Sequence, residues 1–290
     1  MKFFNKRSAI GIMIVLFFTV LVKDSIAQKM WDNRPAKAWM TDAYPIGNGR
    51  IGGMVFGGIN KERIQLNDIT LWTGNETERG TYQTLGNLFI DSGNGDDSEV
   101  PADYRRELDI NRSVSTITYT KDGIKYKREY FCSFPGKVMV LRFTADKKGA
   151  FNNILRLTDA HGNQPEVTGD KLFFAGKLNN GMQYKAIASV KLEGGKLSSE
   201  TDPTGGSQLK IENADAITIL LTAATDFAND SKANWRGEAP GTKIDRVLKA
   251  ALVKPYSTLL KDHIADYQQL FGRVHLNVGS TAAATLALPT

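Results

Sequence analysis

The chain has 290 residues, with 37 Lys and Arg against 31 Asp and Glu for a formal charge of +6, and a single cysteine. No Lys/Arg run reaches five and the basic residues alternate with acids, so the charge serves solubility and nucleic acid is excluded as a partner. One cysteine excludes an internal disulfide; three histidines, His161, His263 and His275, stand at no ligand spacing, so neither a metal nor another cofactor is expected.

The first segment reads as a secretory leader. Lys2, Lys6 and Arg7 precede an apolar run from Ala9 to Val22, and Ser25-Ile26-Ala27 gives a small-x-small cleavage pattern. The run is shorter than the roughly 20 residues a membrane span needs. Cleavage after Ala27 leaves a chain starting at Gln28, with no membrane partner and a periplasmic or secreted location. Export without disulfides suits a bacterial periplasm or medium. In that setting the sequons at Asn75, Asn111 and Asn229 are chance.

Next comes "PIGNGRIGG", where Gly47, Gly49 and Gly52 match the G-x-G-x-x-G dinucleotide spacing. That fingerprint needs a buried strand before it and a helix after it. Here Pro45, which cannot donate to a ladder, ends the preceding stretch, and paired glycines flank Val55 and Phe56 on the other side. The sequence therefore predicts a glycine turn: Gly47 and Gly49 supply positive φ, and Gly52 and Gly53 allow a close strand approach. A turn at Gly57, Gly58 and Asn60 and a strand from Arg63 to Leu66 follow.

The segment "QLNDITLWTGNETERGTYQTLGNLFID" is the candidate site. Asn67, Asp68, Trp72, Thr73, Tyr82 and Gln83 gather amides, a carboxylate and aromatics around glycine turns, the composition of a loop whose rings stack on pyranose faces and whose amides read hydroxyls. The same Trp72 and Tyr82 would also serve as packing aromatics at a domain interface. Glycoside hydrolysis needs two facing carboxylates, and spacing alone pairs none of those present. No nucleophile elbow occurs, and Cys132 has no paired histidine in a local motif, so no catalytic residue is assigned.

From Trp31 to Phe227 the dominant period is two. Val114, Ile117 and Tyr119, a Lys121-Asp122-Gly123 turn with its Asp-Gly pair, then Ile124, Tyr126 and Tyr130 predict a hairpin. Strands are also predicted at Val138 to Phe143, Ile154 to Leu157, Leu172 to Ala175, Tyr184 to Leu192 and Ala216 to Ala223. The fold class is mainly β, a large antiparallel β super-sandwich followed by a two-helix linker. The first helix carries Ile244, Val247, Leu248, Ala251 and Leu252, with Thr242 as N-cap; Pro255 ends or kinks it. The second carries Leu259, Leu260, Ile264, Tyr267, Leu270 and Phe271, with His263 on its polar side. "RVHLNV" then predicts a strand. The domain boundaries are 1–27 leader, 28–241 sandwich, 242–272 helical linker and 273–290 the start of a connection to a further domain.

Taken together, "RPAKAWMTDAYPIGNGRIGGMVFGG", "IQLNDITLWTG", "YQTLGNLFID" and the late "HIADYQQLFGRVHLNVG" with its terminal "LPT" resemble glycoside hydrolase family 95, the α-L-fucosidases, in the right order from about Trp31 onward. The resemblance implies an N-terminal β super-sandwich, a helical linker, an (α/α)6 barrel and a C-terminal β domain, of which this chain carries the first two and stops before the barrel. It implies inverting hydrolysis of terminal α-1,2-linked L-fucose from glycans, α-L-galactose being preferred by some members. The acid and the water-activating group belong to the barrel, so no catalytic residue carries over and this chain alone is expected to be inactive. What carries over is the Asn67 to Gly74 and Tyr82-Gln83 segment, on the part of the sandwich that faces the barrel. One departure stands out: many members insert a long helical stretch where only Asn75 to Thr81 separates the tryptophan turn from "YQ" here. The alternatives are a free-standing carbohydrate-binding sandwich whose helices form a dimer contact, and a phosphorylase or trehalase-like enzyme built on the same sandwich.

Overall fold

The computed structural model describes residues 29–290 apart from 76, 94, 277, 278 and 280. The leader expected at 1–27 lies outside the described residues. In chain order the strands are β1 (Lys29–Asp32), β2 (Tyr44–Gly47), β3 (Ile51–Val55), β4 (Lys61–Asp68), β5 (Gly86–Asp91), β6 (Arg105–Asp109), β7 (Val114–Lys121) and β8 (Ile124–Ser133). They continue with β9 (Val138–Ala145), β10 (Phe151–Asp159), β11 (Glu166–Thr168), β12 (Lys171–Lys177), β13 (Gln183–Glu193), β14 (Lys196–Thr201), β15 (Ser207–Ala214) and β16 (Ala216–Thr225). Helices α1 (Pro240–Leu252), α2 (Tyr256–Phe271) and the short α3 (Ala283–Leu286) follow. No helix among the described residues is long and apolar enough to cross a membrane.

Two antiparallel sheets face each other. One has the order β1-β6-β7-β8-β9-β16-β13-β12-β11 and the other β14-β15-β10-β5-β4-β3-β2. Alternation fills the space between them: Ile64 and Leu66 from β4, Leu88 and Ile90 from β5, and Leu155 and Leu157 from β10 meet Ile117, Tyr130, Leu141, Phe143, Ile217 and Ile219. The predicted hairpin is β7–β8, and Asp122 and Gly123 both take positive φ, 52° and 73°, as its tight turn requires. The strand predicted at Arg63 to Leu66 lies within β4, and the five predicted between Val138 and Ala223 lie within β9, β10, β12, β13 and β16.

β16 departs from alternation, since all ten of its residues are buried. Its second face lies under the helices, where Phe131, Val140, Leu220 and Ala224 pack against Ile244, Leu248, Ala251 and Leu259. Apolar residues on the two faces of one strand are the signature of a sheet covered on both sides. The helices therefore dock on their own sandwich.

Four expectations need correction. Thr242 is not the N-cap; Ala239 holds that place and Pro240 opens α1, where its fixed φ and missing N–H cost nothing. His263 is buried rather than on a polar face, stacked 4.8 Å from Phe131 with Nε2 3.1 Å from the carbonyls of both Arg112 and Ser113. Arg273 to Leu276 form no strand, and Val274 and Leu276 face solvent, so no burial drives them to pair; residues 277 and 278 lie outside the described residues. Thr290 instead returns to β1, its N–H donating to Trp31 O at 2.9 Å while its Oγ1 accepts from Trp31 N at 3.0 Å. Gly47 sits in β2, and only Gly49 takes the left-handed conformation (φ 83°). Pro45 is accommodated because β2 is a sheet edge. The G-x-G-x-x-G stretch is thus a β2–β3 hairpin with no helix after it, and a Cβ on Gly53 would meet Ile64 and Met139.

A buried polar network ties the sheets. Glu62 accepts from Tyr130 Oη at 2.7 Å, Gly57 N at 2.8 Å and Arg63 N at 3.0 Å. Arg128 lies 3.5 Å from it and donates to Ile59 O and Tyr119 Oη at 2.8 and 2.6 Å. Cys132, on the same strand as Arg128, is a free, buried thiol whose burial raises its pKa far above the ordinary range.

Arg128→Met strands a buried carboxylate and is expected to cost about 3–5 kcal/mol in urea unfolding, with Glu62→Gln in the same chain recovering part of the loss. His263 supplies a pH test. Burial outweighs its carbonyl contacts and holds the imidazole below its ordinary 6.5, so the folded state keeps it neutral where the unfolded chain takes up a proton. Its contribution is complete above that value and is lost as the pH falls below it. The urea midpoint should fall as the pH drops below about 6.5, and His263→Gln should remove that part of the slope.

Candidate functional site

The candidate segment connects β4 to β5. β4 ends at Asp68, whose side chain is fully buried. Oδ1 accepts from Thr70 N at 2.9 Å and Thr70 Oγ1 at 2.6 Å, and Oδ2 lies 3.3 Å from Arg50 Nη2. The same Arg50 nitrogen reaches Ala223 O of β16 at 2.8 Å, and Thr70 Oγ1 lies 2.6 Å from Thr225 Oγ1. Asp68 thus fastens the base of the loop to the opposite sheet, its oxygens engaged inside the protein.

Beyond Leu71 the chain doubles back as a miniature hairpin. Trp72 and Tyr82 form an antiparallel bridge, Thr73 N donates to Thr81 O at 3.0 Å, and Asn75 Oδ1 caps the tip by accepting from Thr77 N and Glu78 N, both at 2.9 Å. The short Asn75 to Thr81 spacing noted in the sequence is the tip of this hairpin. Trp72 and Tyr82 pack at 5.9 Å and stay 44% and 43% exposed, against a few percent for the core aromatics. Burial, helped by the charge of Asp68, raises the pKa of the Tyr82 hydroxyl. Gln83 Nε2 folds back onto Thr81 O and Oγ1, and Asn67 lies half-buried in β4 opposite Gly52.

Trp72 and Thr73 line a cleft of about 1190 Å³; Asn67, Asp68, Tyr82 and Gln83 do not. The opposite wall comes from the connector between β16 and α1, where Phe227 and Trp235 stack in parallel planes, 3° apart and 6.4 Å between centroids. Asn180, in the β12–β13 turn, joins the walls: its Nδ2 donates to Trp72 O at 2.9 Å and Gly74 O at 3.0 Å, while its own carbonyl accepts from Arg236 Nη2 at 2.9 Å. Arg236 also lies 3.8 Å from the buried Asp226. Phe227, Trp235, Arg236 and Asn180 were not singled out in the sequence. The available signal was "NWRG", a tryptophan between an amide and a guanidinium in an otherwise polar loop.

A neighbouring recess of about 470 Å³ shares Thr70 and Phe227 with the cleft and holds Arg50, Lys137, Lys243 and Arg246. Lys243 Nζ donates to Thr225 O at 2.9 Å and Phe227 O at 3.2 Å, anchoring α1 beneath the loop, and burial with Arg50 nearby lowers its pKa. Among the described residues the cleft is lined by one carboxylate, Glu78. The arrangement can stack rings and donate hydrogen bonds, and among the described residues it shows no facing carboxylate pair of the kind glycoside hydrolysis uses.

Comparison with known proteins gives a consistent set. Residues 30–82 and 75–230 match the family model described as glycosyl hydrolase family 65, N-terminal domain. Alpha-L-fucosidase 2 of Arabidopsis thaliana is 28% identical over 88% of this chain and 37% of its own. Probable alpha-fucosidase A of Aspergillus niger is 27% identical over 87% and 38%, and the Aspergillus oryzae protein of the same name is 26% identical over 89% and 42%. The chain thus spans about two fifths of the length of the curated relatives it matches. A solved structure, a putative kojibiose phosphorylase from human microbiome, superposes with a TM-score of 0.52 at 14% identity, covering 84% of this chain and 38% of that one, a likeness of fold alone.

Asp68→Ala leaves Arg50 without its buried partner and Thr70 without its acceptor. A loss of about 1–3 kcal/mol is expected in chemical unfolding, whereas Gln83→Ala, which breaks only contacts local to the hairpin, should stay near wild type.

Proposed function

We propose, since the chain belongs to the glycosyl hydrolase family 65 N-terminal domain family, that it is the N-terminal sandwich of an exported glycoside hydrolase of the α-L-fucosidase type. In this reading the full-length enzyme removes terminal α-1,2-linked L-fucose from glycans by inversion, and this chain alone is inactive. The observation that carries the reading is the set of fucosidase-named relatives, which cover 87–89% of this chain with 37–42% of their own length. Among the described residues one carboxylate, Glu78, lines the cleft, in keeping with a reading in which the acid and base come from a barrel downstream. The leader pattern of the first 27 residues supports export to the periplasm or medium. The Trp72 loop would then form part of the wall against which the barrel closes.

The helical end of the chain bears on the choice between a part of a larger enzyme and a free-standing carbohydrate-binding sandwich. Ile244, Leu248, Ala251 and Leu259 are buried on the sheet, which suits a self-contained module. Leu270 and Phe271 remain 59% and 38% exposed at the end of α2, and Leu260 and Ile264 line an open apolar groove, which suits a further domain. The second group leaves an apolar surface on α2 that the sandwich does not cover, so the larger enzyme is preferred.

The purified 290-residue chain is expected to release no fucose from 2'-fucosyllactose, while a version extended through the downstream reading frame does. Turnover by the short chain would overturn its inactivity. An extended chain that cleaves only α-L-galactosides would move the substrate to L-galactose.

A further inference from the structure

The wall built by Phe227 and Trp235 is exposed where a folded chain would ordinarily hide it. Phe227 is 36% and Trp235 39% exposed, and the two rings face the same cleft as Trp72. Their backbone is also held at a cost. Asn234 and Trp235 are consecutive non-glycine residues in the left-handed region, with φ of 51° and 58°. A bulky side chain there is a true outlier, strained by roughly 1–3 kcal/mol, and such strain persists only where the surroundings fix it. They do so here: Trp235 N donates to Asp230 O at 2.9 Å, Ala228 N to Trp235 O at 3.1 Å, and Arg236 N to Ala233 O at 3.0 Å. The result is a tryptophan held partly exposed at the cleft, stacked on Phe227, by a loop that resists relaxation.

Between the walls lie planar polar groups with capacity to spare. Arg236 uses Nη1 and Nη2 once each on backbone carbonyls, leaving further N–H donors. Among the described residues neither the Asn234 amide nor the Glu78 carboxylate has a side-chain partner. Apolar ring faces beside donors and acceptors of mixed charge match a molecule with C–H faces and hydroxyl rims and no net charge. The cleft, at about 1190 Å³, exceeds the roughly 300–1,000 Å³ usual for a small-molecule pocket, so it has room for more than one ring.

From these features, and resting on the glycan reading above, we infer that the sandwich itself binds a neutral oligosaccharide chain, clamped between Trp72 on one wall and the Phe227–Trp235 pair on the other, with Arg236 donating to its hydroxyls. The clamp holds the chain of the glycan beyond any single terminal sugar. Asn180 sets its width, since its side chain holds the Trp72 loop while its carbonyl holds Arg236.

The test is calorimetric titration of the 290-residue chain with L-fucose, 2'-fucosyllactose and cellotetraose, with tryptophan fluorescence as a second readout. At least one oligosaccharide should bind more tightly than the monosaccharide. Trp235→Ala and Trp72→Ala should each weaken it by about tenfold or more, while Trp235→Tyr, which keeps a stacking face, stays within a few-fold. Trp39→Ala, at an exposed tryptophan outside the cleft, should bind as wild type, and thermal unfolding of each variant separates lost binding from lost fold. If Trp235→Ala unfolds, Trp72→Ala and Trp235→Tyr decide. No binding of either oligosaccharide at millimolar concentration overturns the inference, as does binding that survives both alanine substitutions. Binding of cellotetraose without 2'-fucosyllactose sustains the clamp and counts against the fucose reading. Fucose release by the extended chain with no binding by the short one sustains the enzyme and removes the clamp.

Discussion

The inward face of β4 sets the geometry of the molecule. It presents Glu62, Ile64, Leu66 and Asp68 in succession, two carboxylates at the ends of an apolar pair, all buried. A buried charge is tolerable only when it is paired and hydrogen-bonded, so each end demands an arginine. Arg128 comes to Glu62 from β8 in the facing sheet. Arg50 comes to Asp68 from the β2–β3 turn and continues to the backbone of β16. β4 is thereby clasped at both ends to the opposite sheet, and the apolar filling between the clasps has its thickness defined by them.

The cleft is a dependency of the second clasp. Asp68 turns the chain through Thr70, Thr70 meets Thr225, and Thr225 precedes the connector that carries Phe227 and Trp235. The two walls thus leave the sandwich from adjoining points of opposite sheets. Lys243 braces the second wall from below by binding the carbonyls on both sides of Asp226. A loop pair rooted in buried polar contacts keeps its aromatic rings in place without burying them, which is what a recognition surface needs and what a core does not.

Much of the sandwich is legible in the sequence, because alternation survives wherever one face is buried. The β7–β8 hairpin, β9, β10, β12 and β13 declare themselves this way, whereas β16, buried on both faces, shows instead as a near-continuous run of apolar residues and threonines. β6, with the sequence Arg-Arg-Glu-Leu-Asp, and β14, with Lys-Leu-Ser-Ser-Glu-Thr, do not, since their inward positions include Arg106 or stay half-exposed at a sheet edge. His263 was unreadable for a related reason: its partners are two carbonyls some 150 residues earlier, and no local pattern marks a ring that packs against a distant turn. In the cleft, Trp72 is visible because amides and glycines crowd it, whereas the contribution of Trp235 depends on a backbone conformation that residue types do not announce. The role of Asp68 was equally hidden, because a carboxylate near aromatics looks the same whether it faces a ligand or an arginine from the next turn.

The lone thiol offers a different kind of handle. Cys132 sits one strand from the centre of the nine-stranded sheet, packed among the residues that join the two sheets, and burial keeps it protonated. Labelling needs the thiolate to attack an electrophilic reagent, so in the closed molecule it is chemically silent. Its labelling would require β8 to part from the opposite sheet, breaking the Glu62–Arg128 clasp on the same strand. A single unreactive cysteine in such a place is a clock: the rate at which it is modified counts the openings of the whole sandwich and ignores the breathing of its loops.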